Sequence, residues 1–548
     1  MTGQHKRAAW RRWLRPAGYA AAAAALALVL DPGRAVPALA ALCTVGAVAV
    51  GIWLRPGARL RRRIGVTGWL GWHEYLTVAG RRAVRGGQGI GRLVSGPFWL
   101  RGRSVFSPHR RGLLVVGPQG SGKSSFIVGP IRECPGPAYV TSTKTELVDL
   151  TAVERADRGP VRVFNPTRLG GLDSTLRWNP VAGCSDGDVA DARARALVRG
   201  GGGAKGTQNA DFWADRAAEV LRCYLLAAAL VHRDMAQVME WTLQPDDRTP
   251  SGILEEHAAR VPPGWLGTLN SHLNAANNTR TGYFAALTPA VAFMDSPLVA
   301  AACRPAPGEH LDIADFLRDC GTLYVVAGDD TRVAPLLTAL TEAVFDTAKQ
   351  VAASTPGGQL DPPLGFYLDE IANITPVPLD VWAADSRGWG ITVNAVVQDL
   401  AQLETRWGST RAKTIFANLP TRVVLPGVAN RDDLETLAYL GGQRQVQRNS
   451  QGRSDNGDGR TTRSHNQSWA TEAVVTGPTI HGLPRFHAYV LGLGPKPAIV
   501  QFTPGWRRRG AASSGLAALA VDQPQVEVDA PVEVPALSVV ADQVEDAA

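Results

Sequence analysis

The chain has 548 residues, of which 45% are hydrophobic, so it is long enough to form more than one domain. The net charge is +8, but residues 1–112 carry 19 lysines and arginines against two acids, which leaves a net charge of −9 on the rest. This distribution excludes a broad basic face on the main body. Six scattered cysteines, with no C-x-x-C pair and no zinc-type histidine spacing, predict reduced, buried thiols.

Two apolar runs near the amino end, residues 17–30 and 35–54, are separated by "DPGR". The second run is long enough to span a bilayer, whereas the first is short and rich in alanine. Five basic residues precede the pair and five follow it, which places both flanks in the cytoplasm. We therefore expect residues 1–64 to form a membrane anchor with two transmembrane helices, in a multi-pass protein of the inner (cytoplasmic) membrane whose bulk is cytoplasmic. The alternative, a secretory signal peptide cleaved after "ALA" at 38–40, is disfavoured by the second run and its basic stop.

The stretch "LLVVGPQGSGKSSFIVGP", residues 113–130, contains the motif G-x-x-x-x-G-K-[ST] between an apolar strand pattern and a helix pattern. In such loops, backbone amides surround phosphate oxygens, the lysine contacts the β- and γ-phosphates, and the hydroxyl that follows binds Mg²⁺. The sequence therefore predicts ATP and Mg²⁺ as cofactors, with Lys123 as a catalytic group and Ser124 as a metal ligand. The predicted nucleotide-binding residues are Gly117, Pro118, Gln119, Gly120, Ser121, Gly122, Lys123, Ser124 and Ser125.

A second apolar strand pattern, in "LGFYLDEIANI", ends in two acids. Hydrolysis needs a carboxylate for the metal on a neighbouring strand and a base for the attacking water. We assign the metal role to Asp369 and the base role to Glu370. Two solvated acids at a strand end would be the simpler interpretation of "DE" alone, but the phosphate loop makes hydrolysis the better one.

A third strand pattern, "ITVNAVV", is followed by Gln398, which we expect to sense the γ-phosphate. Open parallel α/β sheets bring functional groups together at the carboxyl ends of their strands. A surface glutamine without a catalytic role is the alternative.

These motifs, with "ANLPTRVVLPGVANRDDLETLAYLGG" and the amino-terminal apolar pair, resemble the type IV secretion coupling proteins, the TraG/TraD-type conjugative DNA-transfer ATPases. The resemblance covers roughly residues 105–505. It implies an α/β, RecA-like P-loop NTPase domain with an inserted all-α domain, preceded by the transmembrane hairpin, and a homo-hexamer. It also implies ATP-driven delivery of relaxase-bound single-stranded DNA, or of protein effectors, into a type IV secretion channel. One departure is the absence of an aspartate at residues 141–143, where many relatives have one.

About 240 residues separate Lys123 from Asp369, too many for adjacent sheet elements, so an insertion is expected. We predict a membrane anchor at 1–64, a first nucleotide-binding part at 65–183, an all-α insertion at 184–304 and a second nucleotide-binding part at 305–505. Residues 441–472 contain few apolar residues and predict a mobile loop, and residues 506–548 predict a disordered tail that is acidic from 521 onward. The tail either docks onto a basic partner or only aids solubility.

The resemblance also suggests Arg387 as the arginine that reaches the γ-phosphate of a neighbouring subunit. A surface salt-bridging role for this arginine is the alternative. Three other functions remain open: an ATPase that delivers protein effectors only, an FtsK-type translocase of double-stranded DNA, and a membrane scaffold with a vestigial nucleotide pocket. The acidic carboxyl end counts against the second, and the presence of both Lys123 and Glu370 counts against the third.

Overall fold

The computed structural model describes residues 68–79, 87–202, 209–328, 330–455 and 461–507. The predicted membrane anchor and all but the first two residues of the predicted tail lie outside these ranges, as does Cys43. Across the described ranges, no helix combines the length and the apolar character needed to cross a bilayer.

The described part of the chain contains an eleven-stranded sheet with the order β2-β1-β13-β12-β9-β3-β8-β7-β4-β6-β5. Its parallel part consists of β3 (Leu113–Val116), β4 (Ala138–Ser142), β5 (Val161–Phe164), β6 (Thr322–Val326), β7 (Leu364–Leu368), β8 (Ile391–Val397) and β9 (Thr421–Val424). Beside β9 the sheet continues in antiparallel fashion with β12 (His487–Leu491), β13 (Ala498–Gln501), β1 (Gly87–Leu93) and β2 (Ser104–Pro108). The fold is therefore mixed α/β with a large parallel sheet, as the sequence predicts, and with an antiparallel extension.

The parallel strands are buried on both faces, which explains their uninterrupted apolar runs. In β3, Leu114 and Val116 belong to one hydrophobic core, and Leu113 and Val115 belong to the other. The second core also contains α2 (Lys123–Glu133) and α3 (Glu146–Ala156). The first contains α12 (Ala334–Ser354) on the opposite face.

Between β5 and β6 the described residues form helices and short turns, apart from one isolated bridge between Arg177 and His310. These helices are α4 (Gly187–Gly201), α5 (Ala210–Leu230), α6 (Met235–Leu243), α7 (Thr249–Glu256), α8 (Trp265–Leu273), α9 (Asn277–Val291), α10 (Pro297–Ala302) and α11 (Ile313–Arg318). α4 packs against both α5 and α12, so it joins the helical segment to the sheet domain. The proposed limits of an inserted domain at 184 and 304 stay a prediction.

Residues 441–472 differ from the predicted loop. β10 (Gln443–Asp455) and β11 (Thr461–Ala473) form an antiparallel two-stranded ribbon, paired from Gln443 opposite Ala473 to Asp455 opposite Thr461. In such a ribbon alternate residues of each strand hydrogen-bond to the partner strand, and this backbone pairing does not depend on an apolar pattern in the sequence.

The remaining described helices lie before β1, between β7 and β8, between β8 and β9, and between β9 and β12. They are α1 (Trp72–Ala79), α13 (Ile371–Ile374), α14 (Leu379–Asp385), α15 (Ala401–Trp407), α16 (Ser409–Asn418), α17 (Arg431–Leu440) and α18 (Gly477–His481). The five described cysteines are free thiols. Four of them are buried as expected, but Cys320 is only partly buried.

Candidate active site

The phosphate loop connects the end of β3 to the start of α2, and its glycines are required by geometry. Gly120 and Gly122 have φ angles of 77° and 100°, a region that side chains with a Cβ disfavour. A Cβ on Gly117 would lie 2.5 Å from Ser121 Oγ, so this position has no room for a side chain. The loop therefore reaches the amino end of α2 with its backbone accessible to an anion.

Lys123 is folded back onto the phosphate loop. Its ammonium donates to the carbonyl oxygens of Gly117 at 2.9 Å and Pro118 at 3.2 Å. Burial lowers the pKa of Lys123, and the negative charges of Asp369 and Glu370 partly offset that effect. The cation is thus held between the loop and the two acids that follow β7.

Asp369 is buried next to the start of α2. Ser124 Oγ donates a hydrogen bond to Asp369 Oδ2 at 3.4 Å. Burial raises the pKa of Asp369 to about 6, and the charge of Glu370 adds to this, while Lys123 and the Ser124 hydrogen bond oppose it. Among the described residues, Asp369 Oδ1 has no hydrogen-bond partner.

These oxygens fit Mg²⁺. The ion prefers oxygen ligands and usually binds through one or two carboxylates, waters and substrate phosphates. A buried carboxylate with one free oxygen beside a serine hydroxyl offers such a partial set. The described ranges contain no group of three or more His, Cys, Asp or Glu that could hold a metal ion.

Glu370 directly follows Asp369 in a strained backbone conformation. Its φ of 49° is in the left-handed region, which costs a non-glycine residue on the order of 1–3 kcal/mol. The Glu370 carbonyl accepts hydrogen bonds from the amides of Asn373 and Ile374 at 2.9 and 3.1 Å. Thr141 at the end of β4 donates to the Asp369 carbonyl at 3.3 Å, so the segment that lacks the aspartate of many relatives supports this turn instead.

Gln398 follows the last residue of β8, beside the phosphate loop. The amide of Gly117 donates to the carbonyl of Val397 at 3.2 Å, which brings the two segments into contact. The backbone amide of Gln398 donates to Gln402 Oε1 at 2.9 Å, and the amide of Gln402 donates to Asp399 Oδ1 at 2.8 Å. Gln402, which the sequence did not single out, therefore positions Gln398.

Arg387 does not join this group. It lies in a short turn, Ser386–Trp389, that precedes β8, whereas Gln398 follows β8. Seven strand residues separate the two ends, a distance of roughly 20 Å. Within one chain, Arg387 is at the opposite edge of the sheet from the phosphate loop.

A cluster of aromatic side chains lies beside the phosphate loop, and the sequence did not predict it. Phe502 packs edge-on against Phe126 and Phe486, with ring centroids 5.4 and 5.9 Å apart, and Phe486 packs against Trp506 at 5.5 Å. A Cβ on Gly122 would lie 3.6 Å from the Phe502 ring. Trp506 is 52% exposed and offers a flat surface of the kind on which a nucleobase stacks. No local motif links these aromatics to the distant phosphate loop.

Part of the chain around this site matches a known protein family. Residues 363–485, which include Asp369, Glu370 and Gln398, match a family model described as "TraM recognition site of TraD and TraG". No curated protein matches the sequence.

Solved structures of a bacterial conjugative coupling protein, TrwB, share the fold. The unbound form is 22% identical, with a TM-score of 0.54, and the match covers 74% of this chain and 88% of that one. TrwB with a non-hydrolysable GTP analogue, and TrwB with ADP and Mg²⁺, each match at 22% identity with a TM-score of 0.53, covering 73% of this chain and 88% of theirs. Residues 363–485 thus match the carboxyl-terminal family of TraD and TraG, and the chain shares its fold with the coupling protein TrwB.

Proposed function

We propose that this protein is a membrane-anchored, Mg²⁺-dependent ATPase that delivers relaxase-bound single-stranded DNA into a type IV secretion or conjugation channel. The observation that carries the proposal is the convergence of the phosphate loop, Ser124, Asp369, Glu370 and Gln398 at one edge of the sheet. The nucleotide complexes of TrwB support nucleotide and Mg²⁺ binding by the same fold.

Each group has a distinct task in this proposal. The loop amides and Lys123 bind and orient the phosphates, while Ser124 and Asp369 hold the metal. The metal, when bound, neutralises part of the phosphate charge. Glu370 orients the attacking water and accepts its proton, and Gln398 contacts the γ-phosphate.

The proposal extends to assembly and location. The description of the matching family as a TraM recognition site supports a DNA-processing complex as a partner. We propose a homo-hexamer in which Arg387, at the sheet edge opposite its own site, acts on the nucleotide of a neighbouring subunit. Residues 1–64 would anchor this ring in the inner membrane, next to the channel components, with its bulk in the cytoplasm.

The test uses the full chain in lipid nanodiscs, with ATP turnover measured alone, with single-stranded DNA and with double-stranded DNA. We expect stimulation by the single strand and loss of turnover in Lys123→Ala by roughly 100-fold or more. Lys413→Ala, at an exposed position in α16, is the control and should match the parent protein.

The other outcomes separate the alternatives. Preferential stimulation by double-stranded DNA would indicate an FtsK-type translocase, and turnover indifferent to all DNA would indicate an ATPase for protein effectors. Full turnover in Lys123→Ala would refute the assigned site.

A further inference from the structure

A group of aromatic and apolar side chains lies exposed near the amino end of the described structure. Trp72 and Leu76 of α1 are 44% and 51% exposed, and Phe98 and Trp99 of the short turn Phe98–Leu100 are 75% and 54% exposed. Together with Tyr75 we call these residues the aromatic patch. Exposed apolar surfaces that are contiguous mark sites of interaction with a protein or a membrane.

Arg103 makes the aromatic patch a single surface. Trp72 and Tyr75 stack with ring centroids 6.0 Å apart, and Phe98 and Trp99 contact edge-on at 4.9 Å. The guanidinium carbon of Arg103 lies 5.9 Å from the centroids of both Trp72 and Tyr75. Its Nε donates to the carbonyl of Trp99 at 3.2 Å, so the arginine connects the two halves.

The segments that carry the aromatic patch are fixed by buried residues and backbone hydrogen bonds. Leu70 and Leu100 are buried, and the Leu70 amide donates to the Pro497 carbonyl at 3.0 Å. The amide of Gly102 donates to the Leu93 carbonyl at 2.8 Å, which fixes the turn against β1. The exposure of the aromatic residues is therefore a property of an ordered surface.

The sequence around the patch is basic. Residues 65–112 contain eight arginines and one acid, Glu74. Lys496 Nζ pairs with Glu74 Oε1 at 2.9 Å, which neutralises that acid. Arg103 is exposed, and the partly buried Arg101 donates to the Gly96 carbonyl at 3.2 Å. An aromatic surface flanked by arginines is complementary to phosphate headgroups with an apolar layer below them.

Chain connectivity brings the patch close to the bilayer. The predicted anchor ends at residue 64, and Trp72 is eight residues further on. Eight fully extended residues span at most about 28 Å, so an inserted anchor keeps α1 within that distance of the membrane surface. Tryptophan and tyrosine are enriched at this interface, and arginines near it are attracted to anionic lipids.

We propose that the aromatic patch docks into the headgroup layer of an anionic bilayer, with Arg101 and Arg103 contacting lipid phosphates. This inference depends on the membrane anchoring in the proposed function. The docked surface would hold the antiparallel edge of the sheet, where β1 and β2 lie, against the membrane. Lipid would then be a second ligand of the motor domain, in addition to its transmembrane attachment.

The test measures the depth of spin labels on the full chain in nanodiscs that contain phosphatidylglycerol. One sample carries Trp99→Cys with Cys43→Ser and Cys320→Ser, because the other described cysteines are buried. A matched control carries Tyr439→Cys in the same background, at a position that is 81% exposed in α17. We expect the label at 99 to be accessible to oxygen and shielded from a water-soluble nickel reagent, whereas the label at 439 is accessible to nickel.

One further sample makes the result decisive. Native Cys43, labelled in Cys320→Ser alone, reports whether the anchor is in the bilayer. If label 43 is in the bilayer but label 99 is as accessible to nickel as label 439, the docking proposal is overturned while the anchor stands. If label 43 is itself in water, the anchoring part of the proposed function has failed.

A label at 99 that is shielded from both reagents would show a protein partner on the patch instead, and would also overturn lipid docking. Arg101→Glu with Arg103→Glu should move the label at 99 towards water, as should nanodiscs of phosphatidylcholine alone. Both arginines lie outside the nucleotide site, so the turnover of this variant in detergent should equal that of the parent. This turnover measurement therefore serves as the control that the variant is folded.

Discussion

Ser124 and Asp369 are 245 positions apart in the sequence, yet Ser124 Oγ donates to Asp369 Oδ2 at 3.4 Å. The contact spans an intervening strand, because β8 lies between β3 and β7 in the sheet. From the sequence we expect the metal-binding carboxylate to follow the strand next to β3. In the structure Asp369 follows β7, which is the second strand from β3. The carboxyl ends of all three parallel strands nevertheless meet at the same edge.

Ser124→Ala tests this contact. The variant loses one oxygen of the proposed metal site, so we expect the apparent Mg²⁺ affinity in ATP turnover to fall by roughly 10- to 100-fold. Magnesium titrations of turnover measure the change. Ser354→Ala is the matched control, since Ser354 lies at the far end of the 21-residue helix α12. An unchanged magnesium requirement in Ser124→Ala would contradict the metal assignment.

Asp369→Asn is expected to stabilise the protein at neutral pH while it abolishes turnover. The carboxyl has a pKa of about 6 in the folded chain and an ordinary value of 3.8 when unfolded. Between these values the folded state binds the proton more tightly, so the free energy of unfolding falls as pH rises through this window. The charged, buried carboxylate therefore costs on the order of 1–3 kcal/mol above pH 6.

Thermal unfolding without nucleotide from pH 4 to pH 7.5 measures this effect. The melting temperature of Asp369→Asn should exceed that of the parent at pH 7.5, and the difference should shrink towards pH 4. Asp157→Asn changes an exposed carboxyl in the same way and should show no such trend. A lower melting temperature for Asp369→Asn at every pH would argue against a destabilising buried charge.

Gln398 and Gln402 should have separable effects. Gln398→Ala removes the group that we propose contacts the γ-phosphate, so we expect kcat to fall by roughly 100-fold or more with KM nearly unchanged. Gln402→Ala removes only the acceptor that holds the Gln398 backbone, so its effect on kcat should be smaller. Gln402→Glu keeps an acceptor oxygen and should recover most of the loss. Equal losses in all three variants would mean that the segment acts only structurally.

Trp506→Ala tests the aromatic surface beside the phosphate loop. Stacking of a nucleobase on an aromatic ring contributes about 1–3 kcal/mol, so we expect KM for ATP to rise by roughly 10-fold or more, while kcat changes little. Trp506→Phe should retain most of the affinity. Trp469→Ala, at an exposed position on β11, is the control. A normal KM in Trp506→Ala would remove Trp506 from the nucleotide site.

Much of the site could be predicted because its parts are local. The phosphate loop, its strand and its helix occupy a single continuous stretch, and their glycines are required by backbone geometry at adjacent positions. Asp369 and Gln398 each directly follow an apolar strand pattern, and Glu370 is the next residue after Asp369. Parallel strands that are buried on both faces make such patterns easy to recognise.

Other parts depend on contacts between distant segments. Gln402 acts through a backbone hydrogen bond of Gln398, and Trp506 reaches the loop through Phe486 and Phe502. The ribbon of β10 and β11 has no apolar pattern, and backbone pairing between its strands leaves no periodic signal in the sequence. Arg387 is close in sequence to Gln398, but a whole strand separates them in space.

The sequence alone determined the phosphate-loop motif, since phosphate binding at a helix amino end requires a specific order of glycines, lysine and hydroxyl along a short segment. It also determined which strands carry the acids and the glutamine. Only the tertiary structure decided that β8 separates β3 from β7, that Ser124 and Asp369 meet, and that the aromatic patch forms one exposed surface around Arg103. Strand order and side-chain proximity result from packing between residues far apart in the chain, and periodicity within a segment does not encode that packing.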